Sequence, residues 1–189
     1  MHYHRWVLDA VPSGASTALD VGSGDGLLAF DLAERGLSVT AIDCDQPSVQ
    51  RARSDPRATD RVTFVVGDVF THDFEPVTFD VVASIAVLHH VDAIKGIRRM
   101  RSLVGPGGVI AIVGFATPSS GGDVARGVAG SLYKKSMQMR GKYWEHEAPT
   151  CWPPPCSIAE MRKVVANELP GAEFKPLLSG RYGVTWRAP

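Results

Sequence analysis

The stretch that decides the fold is ALDVGSGDG, residues 18–26, in which an apolar run and an acid lead into three glycines at alternate positions. Glycine adopts a positive φ without steric cost, so such a loop can turn tightly and bring its backbone close to a ligand. A helical stretch follows from residue 27, and the first N–H groups of that helix would point back at the loop. The stretch therefore predicts a strand, a ligand-binding loop and a helix.

Short β-branched runs alternate with helical stretches from residue 17 to about 115, which is typical of a parallel sheet with helices on both faces. Two strand-like runs close the chain with no helix between them, which predicts an antiparallel hairpin. We expect an α/β fold: a doubly wound, mostly parallel sheet of seven strands. The predicted strands are 18–21, 38–42, 62–66, 79–84, 109–115, 173–178 and 182–186, and the main predicted helices are 27–35, 47–53, 93–103 and one from 157 to about 167.

Length and composition favour one cytoplasmic domain. The 189 residues are 44% hydrophobic, which suits a single core spanning 1–189. Twenty basic and twenty acidic residues cancel, so no overall field attracts nucleic acid or anionic lipid. No apolar run approaches the roughly 18 residues of a membrane span, and the first residues lack a signal-peptide pattern. The three cysteines, Cys44, Cys151 and Cys156, lack zinc-site spacing even with His146 nearby, so we expect free thiols and no metal.

Residues 116–156 break the regular alternation, with a helical stretch, an aromatic and charged cluster and a rigid WPPPC segment. About forty irregular residues inside a compact domain are typical of a functional lid. Its aromatic side chains predict a flat or apolar substrate, with Tyr143 and Trp144 as candidate contacts. His146, between two glutamates, is a second candidate for a catalytic group, although a solvated surface is an equally good interpretation.

Three acids end three neighbouring strands of the predicted sheet. Asp20 precedes the glycine loop, where it would repel a diphosphate and attract an ammonium group. Asp43 lies about twenty residues past the loop, where a carboxylate can accept both hydroxyls of a ribose. Asp68 lies where a carboxylate can accept an adenine amino group. The three acids predict a pocket for adenosine linked to a cationic group.

With these features the chain resembles a class I S-adenosylmethionine-dependent methyltransferase. The resemblance covers residues 17–115 and rests on ALDVGSGDG, VTAIDCD, VVGDV, FDVVASIAVLHHV and LVGPGGVIAIV in that order. It implies S-adenosylmethionine as the cofactor, S-adenosylhomocysteine as the product, and methyl transfer to an O, N or C atom of a small molecule. The implied cofactor contacts are Asp20, Gly22, Ser23, Gly24, Gly26, Asp43, Cys44, Asp68, Val69 and Ser84.

His89 follows the fourth strand, where the family places residues between cofactor and substrate, and an imidazole can take a proton near neutral pH. It is the first candidate for a catalytic or substrate-contacting residue, although a role at a helix start explains it equally well. Residues 84–87, SIAV, lack the Asn/Asp-Pro-Pro-aromatic motif of enzymes that methylate amines of nucleic-acid bases. We therefore expect a small-molecule acceptor and no nucleic acid, and the sequence does not predict an oligomeric state.

Two alternatives remain open at this stage. One is an NAD(P)-dependent oxidoreductase, although the third glycine comes one residue earlier than in G-x-G-x-x-G and Asp20 would repel a diphosphate. The other is a cofactor-binding module without catalytic activity. Binding and label-transfer experiments separate these alternatives.

Overall fold

The computed structural model describes residues 3–139 and 153–189. Its strands are β1 (Thr17–Val21), β2 (Ser38–Asp43), β3 (Val62–Val66), β4 (Phe79–Ile85), β5 (Val104–Phe115), β6 (Glu173–Pro176) and β7 (Arg181–Arg187). Its helices are α1 (His4–Ala10), α2 (Leu27–Glu34), α3 (Gln46–Arg53), α4 (Ala93–Leu103), α5 (Gly121–Met139) and α6 (Ile158–Glu168). None of the helices in these two ranges is long and apolar enough to cross a membrane.

The strands form one seven-stranded sheet in the order β3-β2-β1-β4-β5-β7-β6. The strands β1 to β5 run parallel to one another, whereas β7 pairs antiparallel with both β5 and β6. The predicted doubly wound sheet and C-terminal hairpin are confirmed. Strand order reverses between β1 and β4, and such a switch point opens a crevice at the carboxyl ends of the strands where ligands bind.

Helices cover both faces of the sheet, as predicted. One apolar cluster joins the sheet to α4 and α6 through residues such as Met100 and Met161. A second cluster on the other face includes Val7 of α1, Phe30 of α2 and Val49 of α3. Burial of these two clusters is the main driving force for the fold, because apolar area removed from water contributes roughly 25 cal/mol per Å².

Polar side chains define where three helices begin. Asp45 accepts a hydrogen bond from the Ser48 N–H, and Asp92 accepts one from the Lys95 N–H. Ser157 begins α6 with a complete capping box. These side chains bond N–H groups of the first turn that have no partner inside the helix, so each helix begins within one residue of its predicted position.

The start of β5 differs from the sequence-based expectation. Strand β5 begins at Val104 rather than at 109, and the glycines at 105, 107 and 108 lie in a bulge, where the register moves from Phe79–Val104 to Val81–Val109. A Cβ at Gly108 would lie 2.8 Å from the Asp80 carbonyl oxygen, so this position needs glycine for the close approach of two strands. Helix α5, with 19 residues, covers the helical stretch that was predicted within residues 116–156.

Candidate active site

The glycine loop, residues 22–26, leaves the end of β1 at the switch point. The N–H groups of Gly22 and Ser23 donate to the Ile42 carbonyl oxygen at 2.8 and 3.1 Å, which ties the loop to β2. A Cβ at Gly22 would lie 2.1 Å from Cγ2 of Val87, whereas a Cβ at Gly24 would meet nothing within 4 Å. Gly24 therefore borders open space at this crevice, and its φ of 51° is one that side chains rarely adopt.

Gly26 has a packing role. Its φ is 77° at the N-cap of α2, and a Cβ there would lie 2.8 Å from the Phe64 ring and 3.1 Å from the Cβ of Ala52. Glycine at this position lets α2 approach β3 and α3 closely. The structure thus places Gly26 in the helix packing beneath the loop.

Asp20 is a buried acid beside the glycine loop. Only 2% of its surface is exposed, and its Oδ2 atom has no hydrogen-bond partner among the described residues. Burial and the neighbouring Asp43 charge raise the pKa of Asp20 to about 7, against the lowering effect of a bond from the Ala29 N–H. A buried carboxylate without a counter-charge is costly, so a cationic group bound here would stabilise its ionised form.

Asp43 is held rigidly at the end of β2. Its Oδ2 accepts the Gly24 N–H at 2.7 Å, and its Oδ1 accepts the Asp45 N–H at 2.8 Å. Each carboxylate oxygen can accept more than one hydrogen bond, so the side chain retains capacity for two ligand hydroxyls. Cys44 is exposed beside it. Partial burial of the sulfur and the Asp43 charge raise the pKa of the Cys44 thiol, which keeps it protonated.

Asp68 and Val69 form the turn after β3. The exposed Asp68 caps this turn, since its Oδ1 accepts the Phe70 N–H at 2.9 Å. The half-buried Val69 packs against the core. Arg99 of α4 donates to the carbonyl oxygens of Val69 and His72 at 2.8 and 2.7 Å, which fixes the turn to the helix.

The two serines differ in what they can offer a ligand. Ser84 at the end of β4 is 1% exposed and donates its hydroxyl hydrogen to the Val21 carbonyl oxygen at 3.1 Å, so it links β4 to β1. The Ser23 hydroxyl in the glycine loop is buried and has no partner among the described residues. The Ser23 hydroxyl can therefore bond a ligand, whereas the Ser84 hydroxyl bonds the end of β1, from which the loop begins.

His89 lies on the turn between β4 and α4. Its residue surface is 7% exposed, and its Nδ1 has no hydrogen-bond partner within 3–139 or 153–189. The ring meets Phe115 edge-on, with 5.1 Å between the ring centroids, and lies 4.0 Å from the ring of the exposed His90. Burial, His90 and Arg181 lower the pKa of His89 to about 4, so the imidazole is neutral at physiological pH.

Comparison with known proteins identifies the family. Residues 19–112 match the family model described as a methyltransferase domain. A protein of Mycobacterium tuberculosis named as an uncharacterized methyltransferase is 41% identical over 190 residues, covering 100% of this chain and 95% of that protein. The chain belongs to the class I S-adenosylmethionine-dependent methyltransferases.

Solved structures of methyltransferases share the fold. A SAM-dependent methyltransferase from Aquifex aeolicus superposes with a TM-score of 0.66 at 15% identity, covering 98% of this chain and 89% of that one. The Haemonchus contortus phosphoethanolamine N-methyltransferase 2, solved with S-adenosylmethionine, superposes with a TM-score of 0.62 at 21% identity, covering 92% and 38%. These likenesses confirm the sheet topology of the enzyme.

The residues at the crevice suit the cofactor of this family. In the part of the methyltransferase that the structure describes, one Asp20 carboxylate oxygen and the Ser23 hydroxyl have no hydrogen-bond partner, and Gly24 borders open space. An ammonium group and a polar chain would satisfy these atoms, whereas a diphosphate would meet the Asp20 charge. The donor set of the crevice therefore fits S-adenosylmethionine.

Arg181 lies close enough to His89 to affect its pKa, a position that the sequence analysis missed. Its guanidinium carbon lies 3.9 Å from the ring centroid of Phe115 and 4.4 Å from that of Tyr3, so the group lies against two aromatic faces. Because β7 runs antiparallel to β5, its first residue lies at the edge where β5 ends. The predicted hairpin was the available signal, because Arg181 directly precedes its second predicted strand, 182–186.

Several predicted substrate-side residues of the methyltransferase have no described position. Tyr143, Trp144 and His146 lie outside the described residues, as does Cys151. Val124, Val128 and Leu132 on α5 are 53%, 57% and 65% exposed. The helix that precedes residues 140–152 therefore carries apolar side chains that remain largely exposed.

Proposed function

We propose that the enzyme holds S-adenosylmethionine across the carboxyl ends of β1, β2 and β3. The buried Asp20, whose Oδ2 has no partner within 3–139 or 153–189, is the observation that carries this proposal, because it needs a cation at this point. In the proposed complex Asp20 faces the ammonium group. The methionine part lies along Gly22 and Gly24 with Ser23 as a hydrogen-bond partner, and Gly26 shapes the loop.

The nucleoside part of the proposed complex lies farther along the sheet edge. Asp43 accepts the ribose hydroxyls, for which its bonds to Gly24 and Asp45 hold it in place. Asp68 and Val69 contact the adenine, with Cys44 beside the ring. Ser84 acts through its bond to the Val21 carbonyl oxygen, which keeps the ends of β1 and β4 in register.

We propose that the acceptor is a small molecule whose O, N or C atom attacks in line. Bound S-adenosylmethionine supplies a methyl group activated by its positively charged sulfur. The protein contributes by orienting the acceptor and excluding water, effects that lower barriers by several kcal/mol. His89 is neutral and weakly basic, so we assign it to orienting the acceptor, and the proton released by an O–H or N–H nucleophile passes to solvent.

The proposal also covers the lid, the location of the enzyme in the cell and the class of acceptor. We propose one domain with a lid in residues 116–156, in which Tyr143, Trp144 and His146 face the acceptor. The free cysteines Cys44 and Cys156 favour a reducing, cytoplasmic location. The balanced charge favours a small acceptor over nucleic acid.

Calorimetric titration with S-adenosylmethionine, S-adenosylhomocysteine, NAD and NADP tests the cofactor proposal. We expect both sulfur nucleosides to bind, and Asp43→Ala to weaken them about 100-fold through loss of a charged hydrogen-bond acceptor. Asp60→Ala, at an exposed aspartate in the loop before β3, is the matched control and should bind normally. Binding of the nicotinamide cofactors alone would contradict the proposal, and binding of none of the four would favour a module without this cofactor.

A further inference from the structure

A second cavity, separate from the crevice at the glycine loop, lies beside the C-terminal hairpin. It has a volume of about 430 Å³, which is within the range of small-molecule sites. It lies between α1 and the turn after β6, with one residue contributed by α5. Its lining consists of aromatic, charged and apolar side chains: Tyr3, Arg5, Trp6, Asp9, Arg126, Lys175, Pro176, Leu177 and Leu178.

One wall of this cavity is a fixed aromatic surface. Trp6 donates its indole N–H to the Val184 carbonyl oxygen at 3.3 Å. A Cβ at Gly183 would lie 2.6 Å from the indole, so the absence of a side chain there lets Trp6 lie directly on β7. The Tyr3 hydroxyl donates to the Leu178 carbonyl oxygen at 3.1 Å. Two aromatic rings held in this way offer a preformed flat surface to a ligand.

Cations outnumber acids around the cavity. Arg126 donates to Asp123 at 2.6 Å, and its Nε–H has no acceptor among the described residues. Asp123 also accepts bonds from Ser119 and Ser120, and the pKa of its carboxyl is well below the usual range, so it neutralises Arg126. Beyond that pair, the Arg5 and Lys175 cations face only Asp9 in the lining. The cavity is therefore locally positive on a chain whose formal net charge is zero.

The cavity adjoins a narrow cleft on the side of Arg181. This cleft, of only about 10 Å³, shares Arg126, Pro176 and Leu177 with the cavity and is also lined by Arg181 and Ala116. Ala116 follows Phe115, whose ring contacts His89. Arg181 and Phe115 thus form a chain of side-chain contacts from the edge of this cleft to His89.

We infer that this cavity binds an acidic group of the methyl acceptor, which is therefore an anion with a flat, apolar body, such as an aromatic carboxylic acid. The inference rests on the proposed function, since it assigns the acceptor of that reaction. The fixed rings of Tyr3 and Trp6 contact the apolar body. Lys175 and Arg5 attract the carboxylate, and Arg181 extends the positive charge toward the reacting end.

Binding of three matched probes tests the charge preference: 2-naphthoate, the neutral 2-naphthamide and the cationic 2-naphthylmethylamine, each titrated calorimetrically. We expect naphthoate to bind about tenfold more tightly than the amide, and the amine to bind most weakly. Lys175→Glu should remove this preference, whereas Lys163→Glu on the exposed face of α6 should keep it. Equal binding of the three probes, or equal effects of both variants, would overturn the inference.

A second experiment tests the acceptor itself. A small-molecule extract is separated on an anion-exchange resin, and each fraction is incubated with the enzyme and methyl-labelled S-adenosylmethionine. We expect the labelled product to arise from retained, acidic fractions, and Lys175→Glu to raise the KM for that fraction about tenfold with little change in kcat. Label arising only from unretained fractions would overturn the inference. Titration with S-adenosylhomocysteine on the same samples separates the two proposals, because failure of the wild type to bind it would refute the cofactor proposal itself.

Discussion

Replacing Asp20 with asparagine changes the stability and the cofactor affinity of the enzyme in opposite directions. Asparagine keeps the shape of the side chain, and its amide oxygen can accept the Ala29 N–H as the carboxylate does. Its amide nitrogen takes the place of Oδ2, which forms no hydrogen bond with any described residue. The substitution thus removes one buried negative charge and few contacts.

The size of the effect follows from the pKa of Asp20, which is about 7 in the folded enzyme and 3.8 for an aspartate carboxyl in the unfolded chain. The folded protein therefore holds the proton more tightly, so stability is fully present below about pH 4 and is lost as the pH rises through 7. A difference of about three pKa units corresponds to about 4 kcal/mol. Asp20→Asn should therefore be about 2–4 kcal/mol more stable than the wild type at pH 8.5 and nearly equal to it at pH 4.

Urea unfolding at pH 4, 6 and 8.5, with and without S-adenosylhomocysteine, measures both effects. The ligand should stabilise the wild type strongly at pH 8.5 and the variant much less, because a charged hydrogen bond contributes about 1.5–3 kcal/mol, or roughly 10- to 100-fold in affinity. Asp45→Asn keeps a good N-cap for α3 and serves as the control. A stability difference between wild type and Asp20→Asn that does not change with pH would refute the reasoning.

The other predictions concern the glycine loop and His89. Gly22→Ala should cost about 1–3 kcal/mol of stability and abolish methyl transfer, because its Cβ would overlap Val87. Gly24→Ala, with open space around it, should cost about 1 kcal/mol of stability yet still weaken cofactor binding. Thermal unfolding measures the stabilities and calorimetry the binding, and equal losses of stability in the two variants would contradict the structure. For His89, the lowered pKa means that the unfolded chain takes up a proton first as the pH falls from 6.5 to 4, so the wild type should lose stability relative to His89→Gln over that interval. A constant difference in urea midpoint across those pH values would show that His89 is not buried in its neutral form.

The cofactor side of the site could be predicted from the sequence because its residues are set by local structure. Asp20 and Asp43 lie at the ends of Val- and Ile-rich strands, and parallel strands must end at one edge of the sheet. Their protonation and bonding could not be predicted in this way. The pKa of Asp20 depends on burial and on Asp43, and the capping role of Asp68 depends on the turn that follows it.

The acceptor side could not be predicted because its residues come together only through long-range packing. Tyr3, Phe115 and Arg181 are far apart in sequence and meet because β7 inserts beside β5 and α1 packs near the start of β7. The Arg99 bonds that fix the Asp68 turn are of the same kind. No spacing rule relates such residues, so sequence patterns identify the elements that carry them but not the contacts between them.

The cofactor crevice and the second cavity are formed by different parts of the chain. The family match ends at residue 112, and it includes the glycine loop, Asp43, Asp68 and His89. Every residue that lines the second cavity lies outside residues 19–112. Under the proposed acceptor site, a change of acceptor would come from α1, α5 and the C-terminal hairpin, with the cofactor crevice unchanged. The M. tuberculosis relative aligns over the whole of this chain, so exchange of residues 3–9 and 175–181 between the two proteins should transfer any difference in acceptor preference and leave S-adenosylhomocysteine affinity unchanged.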